Sequence, residues 1–237
     1  DTITTGTGND IIIGGLGDDA IISNDAEVRD VVVGDAGEIT LDVSTLEGIP
    51  DVYAFTHLPL EITSTDPAFT GNDTIHTGSG DDLVVGGSGH ELIDTGQGAT
   101  EDIVVGDDAT LMLNSSGQLN SITSSQRDHG NPDIITTGEG HDIVIGGRGD
   151  DIITTGTDSQ GNVVTGDDGD VVVGDNATLT FTSIGQLQTI KTTYPLTDSG
   201  TVASDGSTIS YQDTITTGTG NDIIIGGLGD DAIISND

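Results

Sequence analysis

Cysteine and tryptophan are missing from the 237-residue chain, and aromatic residues are close to it, with three Phe and three Tyr beside a single Met. Without Cys no disulfide can staple the fold and no thiolate can bind a metal, although this leaves the redox compartment open. Without aromatics a core has to be assembled from aliphatic side chains. Positive charge is scarce as well: four Lys and Arg face 41 Asp and Glu, for a formal charge of −37. So negative a surface repels nucleic acid and anionic lipid, and no apolar run is long enough to insert in a membrane, so neither is expected as a partner. It also repels itself, and a compact fold has to recruit counter-ions.

What the chain does have is glycine, 37 residues of it, and short β-branched triplets such as Ile11-Ile12-Ile13 and Val31-Val32-Val33. These read as strands. The acids stand at fixed places between the triplets, unlike the acidic blocks of a disordered chain, which points to order that sets in when a cation binds.

The letters fall into nines. Thr5-Gly6-Thr7-Gly8-Asn9-Asp10-Ile11-Ile12-Ile13 is followed by Gly14-Gly15-Leu16-Gly17-Asp18-Asp19-Ala20-Ile21-Ile22, and the frame returns at Thr77 to Val85, Gly86 to Asp94, Thr137 to Ile145 and Gly146 to Thr154. Each nonamer is a six-residue glycine-rich turn and a three-residue strand. These units resemble the nonapeptide of the RTX calcium-binding repeats. The resemblance implies an all-β fold, a right-handed parallel β-roll or β-solenoid in which two nonamers make one coil, with several Ca²⁺ between turns stacked along each edge.

The residues supply physical reasons of their own. Glycine at turn places one, two and four permits positive φ and lets carbonyls converge where a side chain would intrude. Hard Ca²⁺ takes about six to eight oxygens, which carbonyls and the sixth-place acid can provide. The expected ligands in well-formed turns are Asp10, Asp19, Asp82, Asp142, Asp151, Asp222 and Asp231, with the carbonyls of Gly6, Gly8, Gly15, Gly17, Gly78, Gly80, Gly138, Gly140, Gly147 and Gly149. Irregular turns add a second rank: Asp30, Asp73, Glu91, Asp102, Asp133, Asp170 and Asp213. Glu91 stands where Asp is expected, and Ser23 to Asp30 lacks glycine. Asp73, Asp133 and Asp213 follow long insertions, so half of a site is expected to be missing there.

Longer periods overlie the nonamers. Residues 1–25 recur letter for letter at 213–237, so the second copy begins 212 residues after the first. A tandem array with a 212-residue unit is expected, of which this is one unit and the start of the next. Within the unit VVGD occurs at Val32, Val104 and Val172, 72 and 68 residues apart. Three modules follow: 1–72 with roll 1–33 and insert 34–72, 73–132 with roll 73–105 and insert 106–132, and 133–212 with roll 133–173 and insert 174–212. The extra piece at 155–165 has no evident place.

The inserts resemble one another. Ala109 to Leu113 and Ala177 to Phe181 precede SSGQL and SIGQL and then runs containing Ile122 and Ile190, the pattern of a β-hairpin. The first insert is a longer version, with Glu38 to Leu41 and later Tyr53, Phe55 and Leu58. In the roll the central residue of each triplet should point inward. Alternate strands are apolar at their outer places too, as in Val31 and Val33, so one sheet carries an oily outer face. The hairpins, or a neighbouring chain, are expected to cover it.

Catalysis finds no support. GSG at Gly78 and Gly87 lies in a turn with no helix after it, His57, His76, His90, His129 and His141 are scattered, and acid pairs recur with the repeat, as a single active site would not. Thr7 and Asn9 resemble the outward pair of ice-binding RTX adhesins, but Ser79 and Asp81, then Glu139 and His141, interrupt any such row. The expected role is a non-enzymatic structural repeat of an extracellular or cell-surface bacterial filament, sheath or adhesin, folded and stiffened by about ten Ca²⁺. Self-association is expected, end to end and laterally. Alternatives are an adhesin repeat that binds a surface or ice, and the export and folding tail of a secreted enzyme or toxin.

Overall fold

The computed structural model describes residues 1–26, 28–41, 59–65, 71–98, 100–125, 130–157, 162–164, 169–193 and 211–236. Among these there is no helix, and the strands form three sheets.

The chain alternates between two parallel sheets. Sheet A stacks β1 (Thr2–Thr4), β3 (Ala20–Ala26), β7 (Thr74–Ser79), β9 (Leu92–Asp94), β13 (Ile134–Thr136), β15 (Ile152–Thr154), β19 (Thr214–Thr217) and β21 (Ala232–Ser235). Sheet B stacks β2 (Ile11–Ile13), β4 (Val31–Val33), β8 (Leu83–Val85), β10 (Ile103–Val105), β14 (Ile143–Gly147), β16 (Val171–Asp175) and β20 (Ile223–Ile225). Neighbours pair triplet on triplet, Val31 with Leu83 and Leu83 with Ile103, so equivalent residues form columns. This is the parallel β-roll.

The period of two sorts each triplet. Central residues, among them Ile21, Val32, Ile75, Val84, Val104, Ile135 and Val172, fill the space between sheets A and B and are buried. Each such side chain contributes about 1.5–3 kcal/mol on full burial.

The outer residues of sheet B join a second core with a third sheet. Sheet C is antiparallel and made of three hairpins: β5 (Gly37–Leu41) with β6 (Pro59–Ser64), β11 (Ala109–Leu113) with β12 (Leu119–Ser124), and β17 (Ala177–Phe181) with β18 (Leu187–Thr192). Its order is β5-β6-β11-β12-β17-β18, so the hairpins also pair with one another. Ile62, Leu111, Ile122 and Leu179 lie fully buried against Val33, Val85, Val105 and Ile145. The oily face of sheet B is therefore covered by the chain's own inserts. Sheet A keeps its outer face in water, with His76 facing Asp94 at 3.4 Å and Ile152 exposed.

The second strand of the first hairpin is Pro59–Ser64; Tyr53, Phe55 and Leu58 lie outside the described residues. The extra piece is tied at its root, where Gly156 N donates to Gly138 O at 2.9 Å and Thr157 bridges Val163.

Candidate metal centres: two rows of carboxylates

Stacking the coils brings the turns into two rows. Turns from sheet A to sheet B open on Thr5, Ser23, Thr77, Thr95, Thr137, Thr155 and Thr217, and this side is the threonine edge. Turns from sheet B to sheet A open on Gly14, Gly34, Gly86, Gly106, Gly146, Gly174 and Gly226, and this side is the glycine edge. All three inserts leave and return at the glycine edge.

Along the threonine edge the acids that end the turns form an unbroken row, Asp10, Asp30, Asp82, Asp102, Asp142, Asp170 and Asp222. The backbone N–H of each donates to Oδ1 of the next, at 2.8–3.0 Å throughout. At four turns the opening hydroxyl donates to the other oxygen: Thr95 to Asp102 at 2.6 Å, Thr217 to Asp222 at 2.5 Å, and likewise Ser23 to Asp30 and Thr155 to Asp170.

The glycine edge carries the row Asp19, Asp73, Glu91, Asp133, Asp151, Asp213 and Asp231. The same N–H to Oδ1 bonds run from Asp19 to Asp73, Glu91 to Asp133, Asp133 to Asp151, Asp151 to Asp213 and Asp213 to Asp231, at 2.9–3.1 Å. The nitrogen of Asp1 sits 2.7 Å from Asp19 Oδ1, the place that Asp213 N holds against Asp231 Oδ1. Among the described residues no hydroxyl meets the second oxygen here. Oδ2 of Asp73, Asp133, Asp151 and Asp213 and both oxygens of Glu91 are buried without a donor from the described residues, as are Oδ2 of Asp10, Asp82 and Asp142 on the threonine edge.

Every sequence-derived ligand acid thus lies in one of the two rows. Asp73, Asp133 and Asp213 hold the same place as Asp19, Asp151 and Asp231, with no gap where an insert rejoins. Asp30 keeps its place after a turn without glycine, as does Asp170 after the extra piece. Of the named carbonyls, that of Gly80 accepts Thr100 Oγ1 at 2.8 Å and that of Gly138 accepts Gly156 N.

The glycines work partly otherwise than expected. Second-place Gly15, Gly87, Gly147 and Gly227 do hold φ between 109 and 126. First-place Gly86 does not; there a Cβ would overlap the carbonyl oxygen of Gly106 in the next coil. Close approach between coils, and not a left-handed backbone, excludes a side chain at that place.

Sequence reasoning missed a third column. Asp35, Asp107 and Asp175, the acids of the three VVGD motifs, occupy the second turn place on the glycine edge and alternate there with Gly15, Gly87, Gly147 and Gly227. Each projects into the space its glycine neighbour leaves. Asp35 accepts Ser88 N at 2.8 Å and Gly71 N at 3.1 Å, Asp107 accepts Arg148 N, and Asp175 accepts Leu228 N. Oδ1 of Asp107 and of Asp175 is buried with no donor. The signal was the VVGD period itself, which puts one acid where every regular turn has glycine.

The densest point is at the root of the second insert. Glu91, Asp107 and Asp133 are all buried, and one oxygen from each lies within 4.8 Å of the others. Desolvation, reinforced by Asp133 and Asp107, drives the Glu91 carboxyl far above the ordinary range. Burial raises Asp133 to about 7, and it pushes Asp107 and Asp151 well up with help from neighbouring carboxylates. The same cause lifts Asp73 and Asp213 to about 7, Asp35 to about 6 and Asp175 to about 8. On the threonine edge burial raises Asp82 to about 6, Asp102 to about 8 and Asp142 well up, against the pull of the backbone N–H donors and, at Asp102, of the Thr95 hydroxyl.

Buried carboxylate oxygens without donors, all hard ligands and with no nitrogen or sulfur among them, fit a hard divalent cation. Fold and site together define a parallel β-roll with carboxylate-lined edges. The RTX calcium-binding nonapeptide repeat matches four times, at residues 1–25, 68–100, 130–159 and 209–237, so the chain carries four copies of the RTX repeat along its length. No curated protein and no solved structure matches the chain.

Proposed function

We propose that the chain is one period of a long extracellular, non-enzymatic bacterial repeat protein, in which Ca²⁺ at both roll edges turns an acidic polypeptide into a stiff rod for a filament, sheath or surface stalk. The observation that carries this reading is the double row of buried carboxylates with donorless oxygens. RTX repeats occur in secreted bacterial proteins, which supports an extracellular setting.

The threonine-edge acids Asp10, Asp30, Asp82, Asp102, Asp142, Asp170 and Asp222 would hold one series of ions. The glycine-edge acids Asp19, Asp73, Glu91, Asp133, Asp151, Asp213 and Asp231 would hold the other, joined at the insert roots by Asp35, Asp107 and Asp175. Bound Ca²⁺ supplies the positive charge that lets these groups ionise inside the fold. The chain's own part is to align them: each N–H to Oδ1 bond fixes one carboxylate to the coil above and leaves its second oxygen facing the row. The hairpins of sheet C then convert the roll from a narrow two-sheet ribbon into a three-layer rod.

Calcium titration followed by far-UV circular dichroism and electron microscopy tests the reading. Strand signal that grows with Ca²⁺, and rods that form with it, are expected. Full strand signal in excess chelator at neutral pH would contradict it.

A further inference from the structure

Sheet C gains one hairpin per module and has two internal junctions, β6 with β11 and β12 with β17. Both are built alike. Ile62 faces Leu111 and Thr63 faces Thr110, just as Ile122 faces Leu179 and Thr123 faces Thr178. The Thr63 and Thr110 hydroxyls are 2.8 Å apart, and the N–H groups of Ala109 and Ala177 donate to the Ser64 and Ser124 hydroxyls at 3.1 and 3.0 Å. The four apolar residues at these junctions are fully buried.

The sheet ends at β5 and β18, which among the described residues pair only inward. Their matching residues, Ile39 and Ile190, are half-buried. The roll beneath does not end there. Residues 213–237 repeat residues 1–25, and they stack in the same register, Thr214 on Ala232 as Thr2 on Ala20.

We propose that the outer edge of β18 is completed by β5 of a second copy of the 212-residue unit, with Ile190 opposite Ile39 and Lys191 opposite Glu38, so that sheet C runs on across the unit boundary. The register follows from the hairpins. Ile39, Leu111 and Leu179 face Ile62, Ile122 and Ile190 within them, and each second strand passes the pattern to the next first strand. One place further on, the threonine pair of both internal junctions is replaced by Lys191 and Glu38. Lys191 is one of only four basic residues in the chain, and Glu38 is exposed. Directly opposed unlike charges on adjacent strands attract, so the boundary carries a mark that neither internal junction has. A slip that set β18 against β11 or β17 would put Lys191 opposite threonine.

This rests on the reading of the chain as one period of a calcium-folded tandem rod. The test is a chain lengthened by one period, residues 1–212 followed by residues 1–237, compared with the single chain in millimolar Ca²⁺ by hydrogen exchange and mass spectrometry. The Leu187–Thr192 segment of the first copy should exchange at least tenfold more slowly in the longer chain. Lys191→Glu or Glu38→Lys alone should return it toward the single-chain rate, and the two together should restore protection. Equal exchange in both chains while Val171–Asp175 stays protected overturns the junction and leaves the roll standing. Rapid exchange of Val171–Asp175 as well overturns both.

Discussion

The two edges of the roll solve one electrostatic problem with different means. On the threonine edge a carboxylate receives an N–H from the coil before it and, at Asp30, Asp102, Asp170 and Asp222, a hydroxyl from its own turn. On the glycine edge the hydroxyls are gone and a further acid is added at each insert root. Among the described residues buried second oxygens without donors occur on both edges, at Asp10, Asp82 and Asp142 on the first and at Asp73, Glu91, Asp133, Asp151 and Asp213 on the second. The first edge is thus compensated by hydroxyls at four turns and the second at none; the inserts that build sheet C hang from the second, so a cation bound there would also anchor the third layer.

Removing calcium should produce the largest effect. At neutral pH a chelator is expected to abolish the strand signal in circular dichroism, and partial depletion should release the glycine edge first. Hydrogen exchange around residues 86–91 and 146–151 would then outrun that around 95–102; simultaneous release would erase the distinction between the edges.

Next in size is pH dependence without calcium. Asp73, Asp133 and Asp213 rise from 3.8 to about 7, and Asp102 and Asp175 to about 8. Groups so raised favour the ion-free fold fully below their unfolded value, and that contribution is lost as pH climbs through 7 to 8. The ion-free chain is therefore expected to hold more structure near pH 4–5 than at pH 8, while the calcium-loaded chain shows the opposite trend as protons displace the metal. Circular dichroism across pH with and without Ca²⁺ checks both signs.

Single substitutions sharpen the contrast. Gly86→Ala on the glycine edge forces a methyl into the carbonyl of Gly106 and should cost about 3 kcal/mol in calorimetry. Asp107→Ala should act in opposite directions with and without calcium. In calcium the loss of a proposed ligand should lower the melting temperature by a few degrees, and without calcium the removal of a buried carboxyl whose ionisation opposes folding should move the loss of strand signal to higher pH. Thr95→Ala on the threonine edge removes only the hydroxyl that meets Asp102 and should cost about 1 kcal/mol.

Much of the fold was legible in the sequence because its signals are local. Six-residue glycine turns followed by β-branched triplets define strands and their inward places, and GQL between alternating runs defines hairpins. Legibility failed where a site depends on which coils lie next to each other. Asp73 follows a 39-residue insert and Asp30 a turn without glycine, yet both stack in row because strand pairing on either side fixes their backbone. Asp35, Asp107 and Asp175 look like the first letters of an insert, and only the neighbouring glycines reveal the space they enter.

By itself the sequence determined the repeat, the strand-and-turn alphabet, the aliphatic core and an acidic excess that calls for counter-ions, since all of these follow from spacing and charge along the chain. The tertiary structure alone decided that irregular turns join the same rows, that the two edges differ in donors, and that three distant hairpins form one sheet over the apolar face of the roll. Those outcomes depend on contacts between residues tens of positions apart, and such contacts exist only once the coils have stacked.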